Sequence, residues 1–245
     1  QGRDVVQRGT YNRLELVHAW RLENTKLWHR YQVELDQIVE DFSSQRLQHW
    51  PLHIRKHDRW RSCGALPGEK LRDDVNEVRL FHGTKPEVLF SLLHNGLNSR
   101  FCNQGGMFGA GNYLAEDAGK CDQYCTCDDR YGVEHLKDLH ARLYRSGTSG
   151  VTHPGKVFYI FVCRTIFGCY VRADSGHPHA TSLDKSSLKV FATSERKELS
   201  QIPNTPIHHH ALLVELGSEI SRYREFLQFH DERIYPEYLI AYHRK

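Results

Sequence analysis

Two blocks of sequence decide the reading of this chain: NEVRLFHGT, residues Asn76 to Thr84, and GGMFGAGNYLAEDAGKCDQY, residues Gly105 to Tyr124. The first is a short apolar run that ends at Leu80 and Phe81. His82, Gly83 and Thr84 follow at once, and Pro86 stands where a helix can open. The second places four glycines in seven positions (Gly105, Gly106, Gly109, Gly111) just before Asn112, Tyr113 and Leu114. Strand ends bearing His and Tyr, joined through a glycine-rich loop, suggest a ligand cleft. The glycine order is neither the G-x-G-x-x-G of a dinucleotide-binding turn nor a phosphate-binding P-loop. Alone it fits a structural turn as well as a ligand loop, because glycine permits both φ > 0 and close backbone approach.

Outward from these blocks, the elements follow from period and punctuation. Arg13 to Leu22 alternates enough to predict a strand with Leu14, Leu16 and Trp20 on one face. Asn24 can cap a helix that carries Leu27, Trp28, Tyr31, Leu35, Ile38 and Phe42 at spacings of three and four. Residues 43–75 read as a long irregular connection. Val78 to Phe81 is predicted as a strand. Pro86 to His94 is predicted as a helix stopped by Asn95 and Gly96. A loop covers 97–111, a short strand Tyr113 to Ala115, and a helix Glu116 to Tyr124. Residues 125–155 look like an insertion, with a helical piece from Glu134 to Tyr144. Strands are expected at Lys156 to Arg164, Cys169 to Arg172, Ala211 to Leu216, Tyr223 to Phe229 and Ile234 to His243, with a loop-dominated 173–209. Many strands and few helices give an α+β fold with a mainly antiparallel β-sheet core flanked by helices. Residues 1–12 read as a disordered or linker segment, and 13–245 as a single domain.

Composition sets the outer bounds. The 245 residues are 39% hydrophobic and 26% charged, with a net charge of +3, so bulk charge points to neither nucleic acid nor membrane. A basic run, His53 to Arg61, is the one local argument for nucleic-acid contact. No apolar run approaches the roughly 20 residues of a membrane span, and nothing reads as a signal peptide. Seven scattered cysteines form no disulfide framework, which favours a reducing, intracellular compartment, cytoplasmic or nuclear. The chain opens on Gln and is read as a piece of a longer protein.

Several side chains carry chemistry. His82 ends an apolar strand, where a lone His is more often a satisfied core residue. Tyr113 and Tyr124 could flank an aromatic ring, although two tyrosines alone are more often core. Glu225 sits in YREFLQFH, and glutamate is disfavoured in strands. A carboxylate pointing into a cleft can bind ribose hydroxyls and stabilise charge developing at an anomeric carbon. Cys125, Cys127, His135 and His140 cluster in sequence, but C-x-C with H-x4-H is not a usual zinc spacing. The tract His208, His209, His210 is read as a polar loop end. No metal is assigned.

Taken with YREFLQFHDERIYPEYLIAYHR (Tyr223 to Arg244) and LELVHAWRLENTKLWHRYQ (Leu14 to Gln32), the two opening blocks strongly resemble the catalytic domain of the poly(ADP-ribose) polymerase family. These are the diphtheria-toxin-like ADP-ribosyltransferases; the likeness spans roughly 13 to 243 and is tankyrase-like in its opening. The resemblance implies a split β-sheet core, NAD as ADP-ribose donor, cleavage of the nicotinamide–ribose bond, and transfer to an acceptor, with protein side chains, including the enzyme's own, the expected target. It implies a triad at His82, Tyr113 and Glu225. His82 would hold the adenosine ribose. Tyr113 and Tyr124 would stack on nicotinamide, and Gly83 would pair with its carboxamide, beside Thr84. Glu225 would bind the nicotinamide ribose. Asn98 and Phe101 would belong to a donor loop over adenine, Met107 to the acceptor side, and Lys120 would stand near the glutamate. Cys121 departs from the family, which usually has serine there; a thiol is a weaker donor. Tankyrases carry a small zinc site where residues 125–155 lie, but the ligand spacing here differs, so no metal is carried over. The rivals are a non-catalytic NAD or ADP-ribose reader on the same fold, and a transferase acting on nucleic acid, which is allowed as a partner but not required.

Overall fold

A computed structural model describes residues 11–55, 70–98, 105–144, 150–217 and 219–245. Two four-stranded sheets form its centre among the described residues. The first contains β1 (Leu14–Arg21), β8 (Ile234–Arg244), β4 (Phe158–Ile166) and β2 (Glu77–Gly83), in that spatial order. The second contains β3 (Asn112–Leu114), β7 (Glu225–Gln228), β6 (Ala211–Val214) and β5 (Tyr170–Ala173). All pairings are antiparallel except β5 with β6. This is the α+β, mainly antiparallel architecture that the strand-rich pattern predicts, with the split that the resemblance implies.

The strands form for reasons visible in their side chains. β4 reads FYIFVCRTI, is rich in β-branched and aromatic residues, and is buried along its whole length between β8 and β2. β1 departs from the expected alternation. Its register to β8 shifts between Leu16 and His18, and this irregularity turns Leu16 out to 51% exposure while Trp20 packs on the core.

Helix α1 (Thr25–Ser44) begins where the sequence places it: Asn24 Oδ1 accepts from Leu27 N at 3.2 Å. Such a cap contributes about 1 kcal/mol. Its buried stripe is Tyr31, Leu35 and Ile38, and Tyr31 Oη donates to Glu77 at 2.7 Å. Helix α2 (Pro86–Asn95) has Pro at its first turn and ends at Gly96, whose φ is +74°. Helix α3 is shorter than the expected Glu116 to Tyr124 and runs only Ala118–Asp122. Asp117 caps it, taking Gly119 N on Oδ1 at 2.8 Å, and Glu116 is drawn away into a buried pair with Arg224. In the insertion, a short turn leads into α4 (Lys137–Leu143), which packs Leu139 and Leu143 on the main core.

The two sheets are joined at their edges. Phe81 and Ala115 exchange two backbone hydrogen bonds, 2.7 and 2.9 Å, so the end of β2 meets the end of β3. Farther along, Gln228 Nε2 donates to Ile166 O at 2.8 Å and ties β7 to the end of β4. The split between the sheets therefore opens beside Phe81, and the next residue is His82.

Candidate functional site

Because side chains alternate along a strand, the Phe81–Ala115 bridge fixes which neighbours reach the split. His82 follows it on one edge and Tyr113 stands two residues before Ala115 on the other. His82 Nδ1 lies 2.9 Å from the Tyr113 carbonyl. A carbonyl can only accept, so Nδ1 carries the proton and Nε2 is left as an acceptor. Burial pushes the His82 pKa below its ordinary value, which keeps the ring neutral near pH 7. A neutral imidazole with its Nε2 lone pair free suits a hydroxyl donor.

Glu225 opens β7. Sequence alternation puts it opposite Phe226, but every residue of this strand is buried, because sheet neighbours and packing cover both faces. A buried carboxylate needs a partner. Lys120 Nζ lies 2.9 Å from Glu225 Oε1, and both side chains are under a tenth exposed. Lys120 comes from α3, on the far side of Tyr113 in sequence, and its ammonium also lies 5.7 Å from the Tyr124 ring centre. The negative charge of Glu225 is felt at both Tyr113 and Tyr124 and raises their pKa values alongside burial, the larger cause. His82, Tyr113, Lys120, Tyr124 and Glu225 thus gather at one place, drawn from β2, β3, α3 and β7. Tyr124, expected at the end of a helix, lies just past α3 and is 51% exposed.

Gly83 is there because nothing larger fits. A Cβ on it would stand 2.1 Å from the Cys121 carbonyl oxygen. The strand end and α3 are thus pressed together backbone to backbone. The Cys121 thiol is buried here beside the Gly83 backbone N–H, and burial raises its pKa well above the ordinary thiol value. It is a neutral thiol and no nucleophile. Thr84 follows, with the Cys125 thiol near its backbone.

Tyr113 uses its hydroxyl inside the protein. It accepts from Phe108 N at 2.8 Å and donates to Gly109 O at 2.9 Å, so the phenol braces the glycine loop and its ring face is left as a wall. Met107, on that loop, is 52% exposed at the rim. Asn98 lies after α2 and is half-buried. Phe101, most of the expected donor loop and the basic run beyond Arg55 lie outside the described residues.

Sequence reasoning missed three groups. The Glu116–Arg224 pair is buried, with Arg224 Nε and Nη2 at 2.8 and 2.7 Å from the two carboxylate oxygens, next in sequence to Glu225. Arg196 reaches the glycine loop from 85 positions beyond Gly111, and no local signal marks it. The third group lies in the insertion.

The four zinc candidates there separate. Cys125 donates to Tyr159 O, Cys127 turns to Asp129, and His135 lies out near Glu87. His140 instead joins Asp128 and His153, whose ligand-type atoms lie within 4.8 Å of one another; this is the one such convergence among the described residues. The two imidazole Nε2 atoms stand 2.9 and 3.1 Å from Asp128 Oδ2, and Tyr159 Oη donates to the same oxygen at 2.9 Å. Each Nδ1 accepts a backbone N–H, from Gly132 and from Gly155, both at 3.1 Å. Those amides place both ring protons on Nε2, facing the carboxylate. A metal held on Nε2 would force the protons onto Nδ1 against two N–H groups. His140 and Tyr159 hydrogen-bond the carboxylate and clamp the insertion, while His153 Nε2 and Asp128 Oδ1 are buried without a hydrogen-bond partner among the described residues. The histidine tract also divides: His208 lies 3.1 Å from Glu198, His209 turns to Ser200, and His210 accepts from Cys169 N.

Comparison with known proteins adds an independent line. The family model for the poly(ADP-ribose) polymerase catalytic domain matches residues 4–244. The mono-ADP-ribosyltransferases PARP11 of mouse and of human are each 26% identical over 204 residues, 81% of this chain. The chain spans about half the length of these curated relatives. A tankyrase of Caenorhabditis elegans is 27% identical over 126 residues, half of this chain and 4% of its own length.

Proposed function

Since the chain belongs to the poly(ADP-ribose) polymerase catalytic-domain family, we propose that it cleaves the nicotinamide–ribose bond of NAD and transfers ADP-ribose to an acceptor. The observation that carries the reading is the Lys120–Glu225 pair, 2.9 Å apart and buried, beside the His82–Tyr113 contact at the junction of the two sheets.

Each residue then has a role that its surroundings suit. Nicotinamide lies between the Tyr113 and Tyr124 rings, with its carboxamide against Gly83, Thr84 and Cys121. His82 Nε2 accepts from a hydroxyl of the adenosine ribose. Asn98 and Phe101 contribute on the adenine side. Glu225 accepts from a hydroxyl of the nicotinamide ribose, and its charge stabilises the cation that develops at C1 as the glycosidic bond lengthens. Lys120 holds the carboxylate in place through their ion pair. Nicotinamide leaves with the bonding electrons, which neutralise its ring nitrogen. An acceptor nucleophile then bonds to C1 and gives up its proton. Met107 stands on the acceptor side. The reaction as proposed needs no metal, because the carboxylate supplies the stabilising charge.

Protein side chains, those of the enzyme included, are the proposed acceptors. The test is incubation with labelled NAD followed by a denaturing gel, which reads transfer and chain length together. Glu225→Gln should lower turnover about 100- to 1,000-fold, the usual loss for a preorganised charge-stabilising group. Turnover near wild type in that variant would refute the assignment.

A further inference from the structure

We propose that Arg196 is a positioning residue that straps the glycine loop shut from outside and so fixes the Tyr113 wall of the nicotinamide site. The inference rests on the ADP-ribosyl transfer reading above.

The loop from Gly105 to Gly111 carries no regular structure of its own. From inside it is braced by the Tyr113 hydroxyl, which takes Phe108 N and gives to Gly109 O. From outside it meets Arg196 twice. The Arg196 carbonyl accepts from Ala110 N at 3.0 Å. Its Nη1 donates to Met107 O and to Gly176 O, each at 2.8 Å. Gly176 is itself held, since its N–H lies 3.1 Å from both carboxylate oxygens of Glu219. One guanidinium nitrogen thus joins two loops that also press against each other. That contact is close: a Cβ on Gly176 would stand 1.9 Å from Met107 O, and one on Gly109 would stand 2.6 Å from Arg196 O.

Arg196 itself holds a conformation that arginine disfavours. Its φ is +55°, in the left-handed region where residues other than glycine are uncommon. Glycine would adopt this backbone at no steric cost. The position keeps a strained backbone together with a side chain that hydrogen-bonds the loop and its neighbour. Local strain of this kind is retained where the surroundings use the residue. Here the use is the wall. Because the phenol is committed to Phe108 and Gly109, movement of the loop carries the Tyr113 ring with it. The strap is half-buried at the rim and remote from the main core, so its loss leaves the fold standing.

Strain and strap predict opposite signs for one substitution. Arg196→Gly removes the strain and the guanidinium together. Its melting temperature should be unchanged or raised, while the KM for NAD and the Kd for benzamide, a stand-in for the nicotinamide carboxamide and ring, rise about tenfold. Arg196→Lys should stay within about threefold of wild type, because a single ammonium can donate to both carbonyls. Methylguanidinium at millimolar concentration should restore part of the Arg196→Gly loss. Wild-type KM and Kd in Arg196→Gly, or a loss that follows a lowered melting temperature, would overturn the proposal. Failure of the catalytic reading looks different: Glu225→Gln would turn over NAD as wild type does, while benzamide binding would still report on the strap.

Discussion

Gly83→Ala isolates the contact on which the proposed nicotinamide site is built. The new methyl would stand 2.1 Å from Cys121 O, 2.7 Å from its carbonyl carbon and 3.0 Å from its Cα. All three are backbone atoms, so no side chain can rotate away. Either β2 or α3 must retreat by about 1 Å before the contact becomes an ordinary one. Overpacking of this kind costs about 1–3 kcal/mol. The loss of chain entropy in the unfolded state works the other way, since glycine to alanine at a compatible φ stabilises by about 0.4–1 kcal/mol. In a chain of this length each kcal/mol moves the melting temperature by about 2–4 °C, so a drop of several degrees is the expected net. The effect on chemistry should be larger. The retreat separates Gly83 from Cys121, the two walls facing the carboxamide, and a 1 Å misplacement can cost about 100-fold in rate. Differential scanning fluorimetry and NAD hydrolysis, followed by nicotinamide release, check the two halves. A variant with unchanged melting temperature and wild-type turnover would refute the backbone-to-backbone contact and the site built on it.

Other perturbations test separate parts. Cys121→Ser exchanges a weak donor beside Gly83 for a hydroxyl and should tighten NAD and benzamide by up to about tenfold, the worth of one neutral hydrogen bond of 0.5–1.5 kcal/mol; calorimetric affinities equal to wild type would sink this. Asp128→Asn presents an amide where the buried carboxylate takes donors from His140 and Tyr159 and faces His153 Nε2 at 3.1 Å, so the melting temperature should fall by several degrees, with EDTA and added zinc moving neither protein; a zinc-dependent melting temperature in the wild type would replace the clamp by a metal site. His210 is pushed down to about 3, by burial first and then by the nearby Arg233. The unfolded chain therefore takes up this proton near pH 6.5 while the folded protein resists, so stability is lost as pH falls from about 6.5 toward 3. In urea melts across that window, His210→Gln should reduce the slope of stability against pH by one proton's worth; an unchanged slope would mean that His210 is not the group responsible.

How much of this was legible in the sequence depended on the range of the forces involved. α1 could be read because its cap and its Tyr31, Leu35, Ile38 stripe are local. The stop at Gly96 was equally local. β4 could be read from its composition alone. Leu16 misled because a register shift two residues wide reverses the alternation, and no residue type signals it. α3 starts late because Arg224, more than a hundred residues away, claims Glu116. The proposed triad positions come from resemblance, as a pattern spread over three blocks, and the structure brings those side chains to one place. Their electrostatic surroundings were less legible, since the sequence offered Lys120 only as a basic residue near the glutamate. Arg196 was illegible altogether. A left-handed φ and two carbonyl partners on different loops leave no trace in the string TSERKELS.

The same contrast explains why the site lies where it does. An unbroken sheet would bury His82 and Tyr113 between neighbouring strands and leave no room for a ligand. Here β2 and β3 are edge strands of different sheets, joined by the Phe81–Ala115 bridge and by the His82–Tyr113 contact. Beyond that bridge the edges diverge, so backbone groups that a continuous ladder would consume stay available. The Gly83 amide is one of them, and a flat carboxamide is a natural partner for it. An open edge is a liability for any sheet. This chain covers one side with α3, which brings Lys120 to Glu225, and the other with the glycine loop, which Tyr113 braces from within. The covering elements also line the cleft, so loosening either one should degrade catalysis before it unfolds the domain. Gly83→Ala tests that order on the α3 side and Arg196→Gly on the loop side.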